Sequence, residues 1–205
     1  MPGATDTRIP TRERIIYATA ELLRRQGYAA TGLKQIAAES EATLGSVYHF
    51  FPGGKEQLAD EVLRTGGRFF LALYEAIAAE APDLVSAVRD FFAGAGQTLL
   101  ATDFADACPI ATVAGEIANT NEPLRVAVAE VFESWLAALV EDAVEAGIGA
   151  ESARSLAVNV LAVLEGAFLL SRSLRSLEPM QAGSDAAVAL VVAALNETKT
   201  KEPKP

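Results

Sequence analysis

Thr31-Gly32-Leu33-Lys34-Gln35-Ile36-Ala37-Ala38-Glu39-Ser40-Glu41-Ala42-Thr43-Leu44-Gly45-Ser46-Val47-Tyr48-His49-Phe50-Phe51-Pro52-Gly53-Gly54-Lys55 decides the fold of this chain. Two short amphipathic runs lie in it, each headed by a threonine suited to an N-cap. Thr31 heads a run through Leu33, Ile36 and Ala37 to about Glu39, and Thr43 heads one through Val47 and Tyr48 to Phe50. The three or four residues between them give the spacing of a helix-turn-helix. Pro52-Gly53-Gly54 then breaks the chain.

Upstream, Thr11 is a candidate N-cap and Glu13 favours a helix start. Ile15-Ile16, Thr19-Ala20 and Leu22-Leu23 repeat at helical spacing up to Gly27, with Arg24 and Arg25 in the last turn. Downstream, a long helix opens near Lys55 and runs towards Glu80. Beyond Ala81-Pro82, Ala, Leu and Val patterning predicts helices at about 83–102, 110–120, 123–146, 152–177 and 185–196. Breaks are expected at 106–109, 121–123, 147–149 and 179–183. Runs of alternating β-branched residues are missing, so the expected class is all-α with about nine helices. The division expected is a three-helix head over 1–55, ordered from about 11, and a larger body over 56–198. Helix 56–80 is the connector, and 199–205 is expected as a disordered tail.

Of 205 residues, 51% are apolar and 21% charged, which excludes a wholly disordered or fibrous chain. One cysteine and one histidine exclude an internal disulfide and a zinc cluster, and point to the cytoplasm. The first residues lack a basic, apolar leader. Ala186 to Leu195 is about half the roughly 20 apolar residues that a bilayer span requires, so no membrane partner is expected.

The net charge of −10 argues against a polyanionic partner until it is divided. Residues 1–55 carry seven basic and five acidic groups, a balance of +2, which leaves −12 for the rest. Residues 42–55 hold no acid, so the head is free to approach phosphates. Thr43, Gly45 and Ser46 are small, as the leading end of a groove-reading helix requires. Tyr48 and His49 have polar tips that reach phosphate oxygens, and Lys55 adds charge at a helix start.

The phrase Ile15-Ile16-Tyr17-Ala18-Thr19-Ala20-Glu21-Leu22-Leu23, then Gly27-Tyr28 and the two threonine-headed runs, resembles the DNA-binding head of the tetracycline-repressor (TetR) family. Cys108-Pro109-Ile110-Ala111 and Leu164-Glu165-Gly166-Ala167 resemble its LmrA/YxaF-like branch. The resemblance implies phosphate contacts from Thr31, Thr43, Tyr48, His49 and Lys55, and base or groove contacts from Lys34, Leu44, Gly45 and Ser46. Leu44, Val47 and Phe51 share a helical face, so periodicity alone buries Leu44, whereas the family pattern turns it towards DNA. The family usually has a glycine where this chain has Glu41, which predicts a strained left-handed residue in the turn.

For the body, the resemblance implies a homodimer through the last two helices and a small-molecule inducer of unknown identity. Double-stranded DNA with a palindromic operator is the implied partner. Interface candidates are Leu161, Leu164, Phe168, Val188, Val191, Val192 and Leu195. Aromatic and apolar pocket candidates are Phe69, Phe70, Tyr74, Phe91, Phe92, Ile110, Trp135 and Phe168. Glu116, Asn159, Glu165 and Arg172 are polar groups within apolar helices, as ligand-orienting residues often are. Each of these is equally a candidate for core or interface.

Several sharper motifs dissolve on inspection. Gly53-Gly54-Lys55 is followed by Glu56 rather than Ser or Thr, so it is no phosphate loop. Gly94-Ala95-Gly96 lacks the third glycine and the preceding strand of a dinucleotide site. Cys108 stands among apolar neighbours and reads as inert and packed. Arg8 is either a minor-groove arm residue or part of an unbound tail. No cofactor is expected. An enzyme with Glu116 or Glu165 as base lacks a paired nucleophile or metal cluster. A helical ligand-binding scaffold without sequence-specific DNA binding is the remaining alternative.

Overall fold

The computed structural model describes residues 9–105 and 108–201, and within them nine α-helices and no strand. They are α1 (Thr11–Gln26), α2 (Leu33–Glu39), α3 (Leu44–Phe50), α4 (Gly54–Glu80), α5 (Leu84–Ala101), α6 (Pro109–Ile117), α7 (Glu122–Glu145), α8 (Ala150–Leu174) and α9 (Glu178–Lys201). Arg8 lies outside the described residues.

Several boundaries differ from expectation. Pro10 occupies the position ahead of α1, and Thr11 is already helical. Gly32, which has no side chain to bond, occupies the α2 cap in place of Thr31, whose hydroxyl donates to Gly27 O at 2.7 Å. The expected break at 179–183 is inside α9, which starts at Glu178 and continues through Lys201 into the stretch expected as tail. Pro179 is tolerated because an N–H in the first turn has no intrahelical partner to lose. Gly183 is tolerated because a side chain there would be crowded. An added Cβ would stand 3.0 Å from Ala167 Cβ and 3.3 Å from both Phe92 Cε1 and Val163 Cγ1.

Two compact units emerge, and α4 and α7 contribute to both. The first comprises Met1–Arg68 and Cys108–Val131, and so includes α6 and the start of α7. Ile15, Leu23, Ile36, Val47, Phe51, Leu58 and Leu63 are fully buried in it. So are Ile110, Val113 and Ile117 of α6 and Leu124 and Ala127 of α7. Gly67 admits α7 closely: a Cβ there would stand 2.6 Å from Val131 Cγ1. The second unit, Phe69–Ala107 and Phe132–Pro205, is built on α5, α8 and α9. Phe92, Leu99, Val160, Leu164, Met180, Ala187 and Val191 form its core.

Candidate nucleic-acid interface

α3 is fixed by what it buries. Val47 and Phe51 are wholly inaccessible, and Thr43 Oγ1 accepts the Ser46 N–H at 3.0 Å, capping the helix as expected. The opposite side carries Thr43, Leu44, Gly45, Tyr48 and His49 in the open, and Lys34 is exposed on α2. Leu44 is 36% exposed, so the helix turns it outward despite the heptad-like spacing with Val47 and Phe51. Ser46 is half-buried and shares a 2.9 Å hydrogen bond with the Thr43 hydroxyl. A Cβ on Gly45 would meet only Thr43 Oγ1, at 3.6 Å, so packing does not dictate glycine there.

The turn that aims α3 carries a conformational cost. Glu41 adopts φ +50°, the left-handed region that a β-carbon disfavours. Ser40 Oγ donates to Ile36 O at 2.7 Å, and Ala42 N–H to Ala37 O at 2.9 Å, which closes the turn around it. Arg14 Nη1 lies 3.9 Å from the Glu41 carboxylate.

Two residues expected at phosphates are placed differently. Thr31 is 1% exposed and spends its hydroxyl on Gly27 O, so its side chain is part of the head's interior. Lys55 is half-buried, with Nζ 4.0 Å from the centre of the Tyr28 ring. Burial lowers its pKa, and the Glu116 carboxylate acts in the opposite direction.

The body residues do not converge on one pocket. Ile110 is core of the first unit, and Phe92 is core of the second. Glu116 is exposed, and its Oε2 accepts the Ala29 N–H of the α1–α2 turn at 2.7 Å. Asn159 is exposed and donates to Ser155 O of its own helix at 2.9 Å. Arg172 reaches Ala105 O at 3.1 Å and Phe104 O at 3.4 Å, pinning the loop after α5. Glu165 and Phe168 are half-buried on α8, with Phe168 against the core.

The remaining aromatics form two groups with edge-to-face geometry. Phe70 lies 5.5 Å from Phe69 and 6.3 Å from Trp135, which Phe132 meets at 5.6 Å; Phe69 itself is 65% exposed. Tyr74 stands 5.4 Å from Phe91, and its hydroxyl donates to Asp142 Oδ2. Burial, then the hydrogen bond to Asp142, pushes the Tyr74 phenol well above its ordinary range.

Tyr74 also lines a cleft of about 400 Å³ with Leu84, Ala87 and Ala138, rimmed by Glu75, Asp83, Glu141, Asp142 and Glu145. Sequence reading missed it because the carboxylates come from α4, the start of α5 and the end of α7, at unrelated positions in the chain.

Of the expected interface residues, Leu164 and Val191 are buried in the second unit's own core. Leu161, Phe168, Val188 and Leu195 are half-buried, and Val192 is exposed. The large apolar side chains left open on α8 and α9 are instead Val158, Leu169, Leu170, Leu174 and Leu190, together with Val192.

A short helix held by its buried side, with small and polar groups displayed after a tight turn, defines a helix-turn-helix regulator. The chain belongs to the TetR family of bacterial regulatory proteins. Residues 15–62 match the model described as "Bacterial regulatory proteins, tetR family". Residues 85–186 match "Transcriptional regulator LmrA/YxaF-like, C-terminal domain". The chain is 35% identical to the uncharacterized HTH-type transcriptional regulator YxaF of Bacillus subtilis, over 83% of this chain and 89% of that protein. It is 31% identical to the HTH-type transcriptional regulator LmrA of the same organism, over 83% and 90% respectively. A TetR transcriptional regulator from Legionella pneumophila has the same fold, with TM-score 0.80 and 21% identity over 88% of this chain and 97% of that one. These relatives are transcriptional regulators, not enzymes.

Proposed function

We propose that the chain is a homodimeric, ligand-responsive transcriptional repressor of the cytoplasm. In this reading α3 enters the major groove and a small-molecule inducer bound in the body releases the operator. The observation that carries it is the outward display of Thr43, Leu44, Gly45, Tyr48 and His49 over a buried Val47–Phe51 anchor, in a stretch without acidic residues. Ser46 and Lys34 complete the groove-facing set, and Lys55, half-buried over the Tyr28 ring, stands at the start of α4 for a phosphate. Two copies of α3 would read half-sites about 34–36 Å apart.

Dimerisation is supported by the apolar side chains displayed on α8 and α9. By length and composition α8 would pass for a membrane-crossing helix, at mean hydropathy 1.6 with 33% of that stretch buried. A surface of this kind calls for a partner, and a second copy presenting the same face satisfies a two-fold interface. For the inducer, the Phe69–Phe70–Phe132–Trp135 cluster offers aromatic surface.

Selection of duplexes from a random pool tests the reading. Enrichment of a palindrome with half-sites one helical turn apart is expected. A pool that stays random favours the ligand-binding scaffold without sequence-specific DNA binding.

A further inference from the structure

The turn between α1 and α2 is tied internally at most of its polar groups. Thr31 Oγ1 donates to Gly27 O at 2.7 Å, Thr31 N–H to Tyr28 O at 3.2 Å, and Gln26 Nε2 to Ala30 O at 2.9 Å. The Ala29 N–H is answered from α6, by Glu116 Oε2 at 2.7 Å and 87 residues away in sequence. Gly27 makes the space for that carboxylate. Its φ is +78°, and a Cβ would stand 1.6 Å from Glu116 Oε1. A second tether lies beside it, where Asn121 Nδ2 donates to Glu56 Oε2 at 2.7 Å. The Asn121 Oδ1 accepts the Leu124 N–H at 2.9 Å, so the same side chain caps α7.

A bond from a carboxylate to a backbone N–H is charge-assisted and directional. It differs from a surface ion pair because one partner is the main chain of the turn that leads into α2. Displacing Glu116 therefore moves the backbone of the head, whereas breaking an exposed lysine–glutamate pair moves only side chains. α6 has nine residues and buries Ile110, Val113 and Ile117, so it presents Glu116 from a rigid base.

We infer that Glu116 is a positioning residue for DNA binding: it latches the α1–α2 turn onto α6 and so sets where the helix-turn-helix stands. The inference rests on the regulator reading above. Its consequence is that a rearrangement of α6 reaches the α1–α2 turn through this bond as well as through the apolar packing of Ile110, Val113 and Ile117.

The full-length protein tests this in two measurements. Amide exchange at Ala29 is followed by NMR in wild type, Glu116→Ala and Glu116→Gln. About tenfold faster exchange is expected for the alanine variant, the effect of losing one charge-assisted bond, with partial recovery in the glutamine variant that keeps an acceptor oxygen. Affinity for the duplex enriched by the wild-type protein is then measured, and loss in the same order, alanine beyond glutamine, is expected. The denaturation midpoint should fall by no more than the loss of this one bond implies, and a larger fall would mark general loosening instead of positioning. Unchanged Ala29 exchange overturns the latch. Faster exchange with unchanged affinity overturns the positioning role. A wild-type protein that enriches no duplex overturns the regulator reading instead, and Ala29 exchange still decides whether the latch exists.

Discussion

Gly183 of α9 lies against Ala167 of α8 more tightly than side chains ordinarily pack, with 3.0 Å between the Ala167 Cβ and the place a Gly183 Cβ would take. Gly183→Val would drive branched carbons into Ala167, Phe92 and Val163 at once. Overpacking of this kind typically costs about 1–3 kcal/mol. Urea denaturation at fixed protein concentration should show the midpoint falling accordingly, and an unchanged midpoint would show that α9 can shift away.

The Tyr74–Asp142 hydrogen bond gives stability an alkaline dependence. The folded-state pKa of Tyr74 is raised above its ordinary value of 10.0, chiefly by burial. A raised pKa means that the contribution is complete below the unfolded value and is lost as pH rises past it. Stability of the wild type should therefore decline above pH 10, and Tyr74→Phe should decline less steeply. At neutral pH the phenylalanine variant should be less stable by about 1–3 kcal/mol, since a half-buried carboxylate loses its donor. Denaturation midpoints at neutral and alkaline pH provide the check.

Glu41→Gly should stabilise the head. The left-handed conformation costs a non-glycine residue about 1–2 kcal/mol, and glycine returns roughly 0.5–1 kcal/mol of that through the unfolded chain. A net gain of about 0.5–1 kcal/mol is expected. The 3.9 Å contact with Arg14 subtracts little, because the separation is at the limit of an ion pair and the Glu41 carboxylate is open to solvent. Thermal melting would report a lower midpoint if that contact mattered more than the strain.

Gly45→Arg should abolish operator binding while the protein stays folded, because the space beyond Gly45 is open within the chain and, in the proposed reading, is where DNA would lie. Lys34→Ala should weaken binding with no effect on the fold, as Lys34 is exposed. Gel-shift titrations paired with circular dichroism test both. Unaltered affinity in both variants removes α2 and α3 from the interface.

If the open apolar side of α8 forms the proposed dimer contact, Leu170→Glu should yield a monomer, since the substitution places a charge on that exposed apolar face. Sedimentation equilibrium reads the outcome. The same change at Leu164 should instead unfold the second unit, because that residue is in its core. A dimer that persists in Leu170→Glu locates the interface elsewhere.

Local sequence determined much of this molecule. Thr43 caps α3, Gly27 ends α1 with φ +78°, and Glu41 takes the left-handed conformation that its place in the turn demanded. Each is set by interactions within a few residues, which the order of side chains specifies directly. Tertiary structure decided the rest. Thr31 turned inward, Glu116 left the expected pocket for the α1–α2 turn, and Arg172 went to the loop after α5. Leu164 and Leu170 stand on one apolar helix, yet only the packing of α5 and α9 against α8 assigns one to the core and leaves the other open. A helix with apolar residues on several sides carries no record of which side is covered, because periodicity names the faces and only their neighbours choose among them.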